Sequence, residues 1–417
     1  MKKNLYAEII SIGNEILAGY TINTNSAFIS QELREIGIAV NWVTTIADDS
    51  DEIFKALQTA AQRADVIAVT GGLGPTPDDI TKELICRFFD TKLVENADVL
   101  NDLKDFLKKR KRPAHFLAIN RAQALVPENA KILRNAFGTA PGIIMEKDNS
   151  VFVFMPGVPL EMKNMFNPGF INFLKSRLDL PEIHTHIMRT TGIAESSLHD
   201  MLKPVISEYP QFPFAFLPRQ VGVDLRFRII NGTAEEISNW QQMLSAIRNV
   251  AQKFIFTEND DALEEIIFKK LFDLKQTIAV AESFTGGLLQ DWITNVPGSS
   301  SVYLGGIVAY SNQSKIMLLD VKGAVLKEFG AVSSETAIEM VRGVQKKFSS
   351  HCAIATTGIA GPTGGSNEKP VGLCYIAVRY GEKESVKEFN FGSSREINKM
   401  RGAMSGLEIL RRLIDEQ

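Results

Sequence analysis

A chain of 417 residues has room for two or three domains, and 45% hydrophobic with 23% charged residues is the balance of a globular protein with sizeable cores. The net charge of −3 gives no electrostatic ground for strong nucleic-acid binding, so direct nucleic-acid contact is not expected. The three cysteines, Cys86, Cys352 and Cys374, are scattered without CxxC spacing; this argues against a zinc cluster or a disulfide framework and suits a reducing cytoplasm.

The opening stretch "MKKNLYAEIISIGNEIL" is interrupted by Glu8 and Glu15 and lacks a small-residue cleavage site, so it does not read as a signal peptide. No apolar run approaches the ~20 residues of a membrane helix, and the expected location is the cytoplasm, away from membranes. "AEIISIG" predicts a buried strand, "NTNSAFISQELREIG" a helix capped by Asn or Ser and stopped by Gly37, and "VNWVTTIAD" a second strand. "SDEIFKALQTAAQRA" predicts a helix, "DVIAVTGG" another buried strand, and "SVFVFMPGVP" a strand closed by a Pro/Gly turn. That alternation predicts a parallel sheet covered by helices.

Beyond residue 170 the texture changes. "THIMRTTG", helical "AESSLHDMLKPVI", the Pro-rich "YPQFPFAFLP", strand-like "VGVDLRFRII" and helical "AEEISNWQQMLSAIRNVAQ" predict a small α+β domain. The acidic "TENDDALEE" then links to a region where strand and helix alternate again. Strands are predicted at Thr277–Ala281, Ser301–Tyr310, His351–Thr357 and Gly372–Arg379, with a long helix at the C-terminus.

The pattern T-G-x-x-G-P-T follows a buried strand twice, at Thr70–Thr76 and at Thr357–Thr363. Glycines at such strand ends let backbone N–H groups approach a ligand, and threonines add hydroxyl donors. Tight turns alone would also use them, but the repetition favours phosphate or nucleotide binding. Gly71, Gly72, Gly74 and Thr76 are the first set of candidates, with "GTAPG" (Gly138) and "MPGVPLEM" (Pro156, Gly157, Glu161) as further pocket walls. Asp78 and Asp79 follow the first loop, and Glu15 comes after the first strand; these carboxylates suit a divalent cation bridging phosphate oxygens, or one aspartate caps a helix.

In "VAESFTGGL", Ser283 lies where a strand turns into a helix and reads either as a helix cap or as a nucleophile near oxyanion-holding N–H groups of Thr285, Gly286 and Gly287. Its base would be Lys315 in "AYSNQSK", since the domain's only histidine, His351, sits before a strand; otherwise Lys315 is a surface lysine. Arg395 and Arg401 are candidate phosphate or carboxylate clamps, or ordinary surface arginines. His184 and His186 share a strand face without an evident third metal ligand and read as a solvated pair.

On these strings the chain resembles the CinA family (competence/damage-inducible protein A) over its whole length: "SIGNEIL", "VTGGLGPTPDDITKE", "GTAPG", "MPGVPLEM", "AESFTGG", "AYSNQSK" and "TTGIAGPTGG". The resemblance implies an α/β chain of three parts. These are a molybdopterin-binding-like domain over residues 1–170, a KH-type α+β domain over 171–256 and an α/β deamidase domain over 257–417. It implies two hydrolytic activities: deamidation of nicotinamide mononucleotide (NMN), and metal-dependent cleavage of ADP-ribose using Mg²⁺ or Co²⁺ with Asp78, Asp79 and the Gly71–Thr76 loop. The family's nucleophile falls on Ser283 and its lysine on Lys315. The substrate-binding threonine falls on Thr357, beside Gly358 and Gly361, with Tyr310 in the same pocket; the phosphate-contacting arginine falls on Arg395 or Arg401. Phe284 stands where many members carry cysteine, a difference expected to be tolerated. A homodimer is expected from the family. The alternatives are a non-catalytic competence or DNA-repair partner, and an N-terminal domain that holds a molybdopterin-like ligand. The KH-type part lacks the GxxG loop of RNA-binding relatives.

Overall fold

The computed structural model describes residues 5–74, 81–113 and 115–416. Two compact units result: one runs up to His184 and adds Ile230–Gly232, and the other comprises Thr185–Ile229 with Thr233 onward.

The first unit is built on a six-stranded sheet of β1 (Tyr6–Ile12), β2 (Ala39–Ile46), β3 (Val66–Thr70), β4 (Lys131–Leu133), β5 (Gly142–Lys147) and β6 (Ser150–Met155), in the order β2-β1-β3-β6-β5-β4. Strands β2, β1, β3 and β6 are parallel, as the strand–helix alternation predicts, whereas β5 and β4 add antiparallel pairs at one edge. Alternate residues of β1 feed opposite cores: Ala7 and Ile9 pack with Ile29 and Leu33, Ile10 and Ile12 with Ile53 and Leu57. Glu8, the charge inside that apolar run, is buried but neutralised by a bidentate Arg63 at 2.7 and 2.8 Å and by the Thr44 hydroxyl at 2.7 Å. The helix Thr24–Glu35 starts on the Asn23 side chain, and Ser50–Arg63 starts on Asp49.

The second unit holds two separate cores. The smaller surrounds β7 (Ile183–Thr190), β8 (Phe214–Pro218), β9 (Val223–Ile230) and β10 (Ile255–Thr257), ordered β8-β9-β7-β10, with helices Glu195–Glu208 and Ala234–Ala251 supplying Leu198, Leu202, Trp240 and Ile247. The Pro-rich stretch thus contains a strand of its own, β8. It lies at a sheet edge, where proline's missing N–H breaks no ladder. His186 is a hydrogen-bond partner of Glu258 at 2.6 Å, and Arg248 grips the same carboxylate.

The larger core surrounds β11 (Ile278–Glu282), β12 (Tyr303–Val308), β13 (Cys352–Gly358), β14 (Leu373–Tyr380) and β15 (Lys383–Asn390), ordered β12-β11-β13-β14-β15. The first three are parallel, the last two antiparallel. One face of β11 packs Ile278 and Val280 against Leu407 of the long helix Arg395–Asp415; the other packs Ala279 and Ala281 against Met340 and Val341 of Ser334–Phe348. Among the described residues, no helix is long and apolar enough to cross a membrane.

Candidate functional site

Strand β11 lies between β12 and β13, so the chain leaves it toward one side and later returns on the other. Ligands bind beyond the carboxyl ends of parallel strands at such a switch point. Ser283 is the first residue past that end. Its N–H donates to Thr356 O at 2.9 Å, which leaves the side chain half-exposed above the sheet edge. Lys315, on the helix Asn312–Leu319 that follows β12, brings its Nζ to 2.9 Å from Ser283 Oγ and donates to Ala309 O, also at 2.9 Å. Lys315 is only 1% exposed, and no carboxylate partners it among the described residues. Burial alone lowers its ammonium from 10.5 to about 8.

The helix after Ser283, Leu288–Asn295, is not capped by Ser283. Gly287 occupies the N-cap position at φ 101°, following Gly286 at φ 62°, and no side chain at the cap bonds to the helix. Both are left-handed conformations that glycine adopts without strain. The helix's open N–H groups go instead to the fully buried Glu282. Its carboxylate accepts from Gly287 N at 2.9 Å, Leu289 N at 3.1 Å and Gln290 N at 2.9 Å. A negative charge there also meets the positive end of the helix. The expected set of oxyanion donors over Thr285–Gly287 is therefore corrected: the Gly287 N–H is committed to Glu282. The N–H groups of Thr285 and Gly286 have no acceptor among the described residues. Replacing one carboxylate oxygen by an amide leaves at least one buried N–H facing another donor. Glu282→Gln is thus expected to destabilise this domain by about 2–4 kcal/mol. An unchanged thermal unfolding curve would show that the carboxylate does not hold the loop.

Thr285 turns inward, its hydroxyl 2.8 Å from that of Thr356. Thr357 is buried as well, and its hydroxyl donates to Ala331 O at 2.6 Å, so it offers lone pairs rather than the expected donor. Gly361, in the same loop, gives its carbonyl to Arg395 Nη1 at 2.7 Å, and Arg395 Nη2 donates to the Tyr310 hydroxyl at 2.9 Å. Since Tyr310 follows β12 and Gly361 follows β13, Arg395 spans the strand that carries Ser283. Gly358 sits tightly against Cys374, where a Cβ would lie 2.5 Å from that side chain. Arg401 is directed elsewhere: its nearest acceptors are Gln220 O at 3.5 Å and Phe391 O at 3.4 Å. Phe284 is accommodated because Gly402 faces its ring; a Cβ there would lie 2.8 Å away.

Two neighbours in this site escape a reading of motifs. Buried Asn398 ties Ala360 O (3.1 Å) and Ser393 O (2.9 Å) together. Lys399, one turn beyond Arg395, places its Nζ 3.6 Å from where a Cβ on Gly286 would stand. The helical spacing from Arg395 was the available signal.

In the first unit, Glu15, Gly71, Gly72, Gly74, Pro156 and Gly157 follow the carboxyl ends of parallel strands β1, β3 and β6, on one sheet edge. Gly71 is needed for close approach, since a Cβ would lie 2.2 Å from Ile12 O. Asn25 donates to Gly157 O at 2.8 Å, while its buried Oδ1 has no partner among the described residues. Gly138 packs against the Glu161 carboxylate, and Asn135 binds both, donating to Glu161 at 2.7 Å and accepting from Gly138 N at 3.0 Å. Asn25 and Asn135 were not among the sequence candidates. Thr76, Asp78 and Asp79 lie outside the described residues. Among the described residues no group of three His, Cys, Asp or Glu side chains suits a metal ion, and Glu15 alone does not make a cation site.

A serine–lysine pair at the switch point of one α/β sheet, a glycine-rich edge on another and a small α+β fold define a multidomain mixed α/β protein. Residues 8–176 match the family described as probable molybdopterin binding domain, 185–257 the damage-inducible protein CinA KH domain, and 260–414 the CinA C-terminal domain. A CinA-like protein of Cytophaga hutchinsonii is 38% identical over 418 residues, covering 100% of both chains, and one of Kosmotoga olearia is 38% identical over 412 residues, covering 98% of each. The crystal structure of competence/damage inducible protein CihA from Agrobacterium tumefaciens is 37% identical and covers 36% of this chain and 93% of its own, with a TM-score of 0.36. The chain belongs to the CinA family.

Proposed function

We propose that the C-terminal domain is an amidase that converts NMN to nicotinate mononucleotide and ammonia. The observation that carries this reading is the 2.9 Å contact between Ser283 Oγ and a buried lysine whose ammonium burial lowers to about 8. Unprotonated Lys315 takes the Ser283 proton as Oγ attacks the carboxamide carbon. The developing oxyanion meets the N–H groups of Thr285 and Gly286, and the carboxamide NH₂ donates to Thr357 Oγ1. Lys315 returns the proton to the leaving nitrogen, ammonia departs, and water then cleaves the acyl-serine ester. Arg395, held among the described residues by neutral oxygens only, faces the substrate's anionic group. None of these steps calls on a metal ion, so the wild-type chain is expected to release ammonia from NMN in EDTA. Silence in that assay would reject the reading.

For the N-terminal domain, the glycine-lined sheet edge supports a diphosphate ligand, and we propose cleavage of ADP-ribose to AMP and ribose 5-phosphate with a divalent cation, Mg²⁺ or Co²⁺, held by Asp78, Asp79 and Glu15. The match to a probable molybdopterin binding domain favours a second reading, in which this edge holds a pterin-type ligand without cleaving it. Persistence of ADP-ribose with either metal present would select the second.

A further inference from the structure

The net charge of −3 averages over one strongly basic tip in the first unit. Residues 108–112 read Lys-Lys-Arg-Lys-Arg, five consecutive cations, and all five are exposed. They close the helix Ala97–Lys109, which buried Val99, Leu103 and Leu107 anchor, so the cations stand on a fixed support. One or two lysines at a helix C-terminus would serve its dipole. This run is longer and continues around a turn. Lys111 takes φ 52°, where glycine or asparagine is the usual residue, and the Arg112 N–H returns to Leu107 O at 3.0 Å. The turn folds the charges back on themselves instead of spreading them along a helix. None of the five has a carboxylate partner among the described residues. The helix's own aspartates, Asp98, Asp102 and Asp105, precede the run, and Asp102 is paired with Arg134. The Arg110 guanidinium instead lies over the Phe106 ring, 4.8 Å from its centroid, and that of Arg112 lies over Phe116 at 5.3 Å.

Like charges crowded this closely repel, and a row of phosphates along a backbone neutralises several of them at once. An anionic lipid surface would also do so, but segments that lie on membranes set several apolar side chains beside their basic ones. Among the described residues from Ala97 to Ala124, Ile119 is the one large apolar side chain that is exposed. Guanidinium groups laid on aromatic rings also offer planar faces to unstacked bases, which single strands present and duplexes do not. We propose that the 108–112 tip binds the backbone of single-stranded nucleic acid without sequence preference, an activity separate from either sheet-edge site.

The test titrates the full chain into a fluorescent oligothymidylate of about 20 nucleotides and follows its anisotropy at several salt concentrations. Binding is expected with a Kd on the order of micromolar at about 50 mM salt. Log K should fall against log salt with a slope of about −2 to −3.5, the value for about three to five phosphate contacts on a single strand. Lys108→Gln, Lys109→Gln, Arg110→Gln, Lys111→Gln and Arg112→Gln together should weaken binding by at least about tenfold and flatten the slope. The thermal unfolding of that variant should match the wild type's, because all five side chains are exposed, so lost binding is not lost folding. The milder pair Lys109→Gln with Lys111→Gln should reduce the slope by about 1.4. Absence of binding, a slope near zero, or equal binding by the fivefold variant overturns the proposal. So does tighter binding of the wild type to phosphatidylserine vesicles than to the oligonucleotide at the same salt, which makes the tip a membrane contact.

Discussion

Ser283→Ala is expected to lower the rate of ammonia release from NMN by roughly four orders of magnitude or more, the scale seen when a catalytic nucleophile is removed. The change should be silent in stability. Ser283 is half-buried and its Oγ has Lys315 as its hydrogen-bond partner, while Lys315 keeps the Ala309 carbonyl. The backbone N–H of residue 283 still bonds to Thr356 O, and Glu282, not Ser283, holds the helix that follows. ADP-ribose cleavage, proposed for another domain, should be unchanged and serves as the internal control for folding. Deamidation that survives the substitution would sink the assignment of the nucleophile. Loss of both activities together would point to a folding defect.

That the substitution should be clean follows from a division of labour that the sequence conceals. "AESFTGG" places a glutamate and a serine side by side before a helix, and capping preference favours serine as the cap. The structure reverses this because alternate residues of an extended strand face opposite ways. Glu282 points into the domain and under the helix N-terminus, and the next residue faces the sheet edge. The pairing of Ser283 with Lys315, 32 residues apart, was accessible because each follows a neighbouring parallel strand and such ends converge. Arg395 and Arg401 were indistinguishable in sequence; helical phase and the Gly361 and Tyr310 acceptors separate them. Among the strands that escaped the pattern, two did so for opposite reasons. Proline masks β8, and charge masks β15, whose "KESVKEFN" is the polar composition tolerated at a sheet edge.

Amidase activity is expected to rise with pH, gaining close to tenfold per pH unit below about 8 and levelling off above it, because the neutral form of Lys315 is the base. Lys315→Met should abolish the reaction at every pH. The same group imposes a stability cost whose pH dependence has the opposite origin from that of a salt bridge. In the unfolded chain the lysine titrates near 10.5 and in the folded chain near 8, so between these values the unfolded state binds more protons. Folding stability therefore rises with pH across that window. The full cost, about 3 kcal/mol at this degree of burial, is present below pH 8 and vanishes above about 10.5. Methionine in its place carries no such term, so the gap in urea midpoint between Lys315→Met and wild type should move in favour of the wild type as pH rises from 8 toward 10. A rate profile flat from pH 6 to 9, or a gap independent of pH, would mean that Lys315 is not the titrating base. If both trends appear together, one buried lysine sets both the activity profile and the stability cost, because the desolvation that makes it a base near neutral pH is the same desolvation that opposes burying its charge.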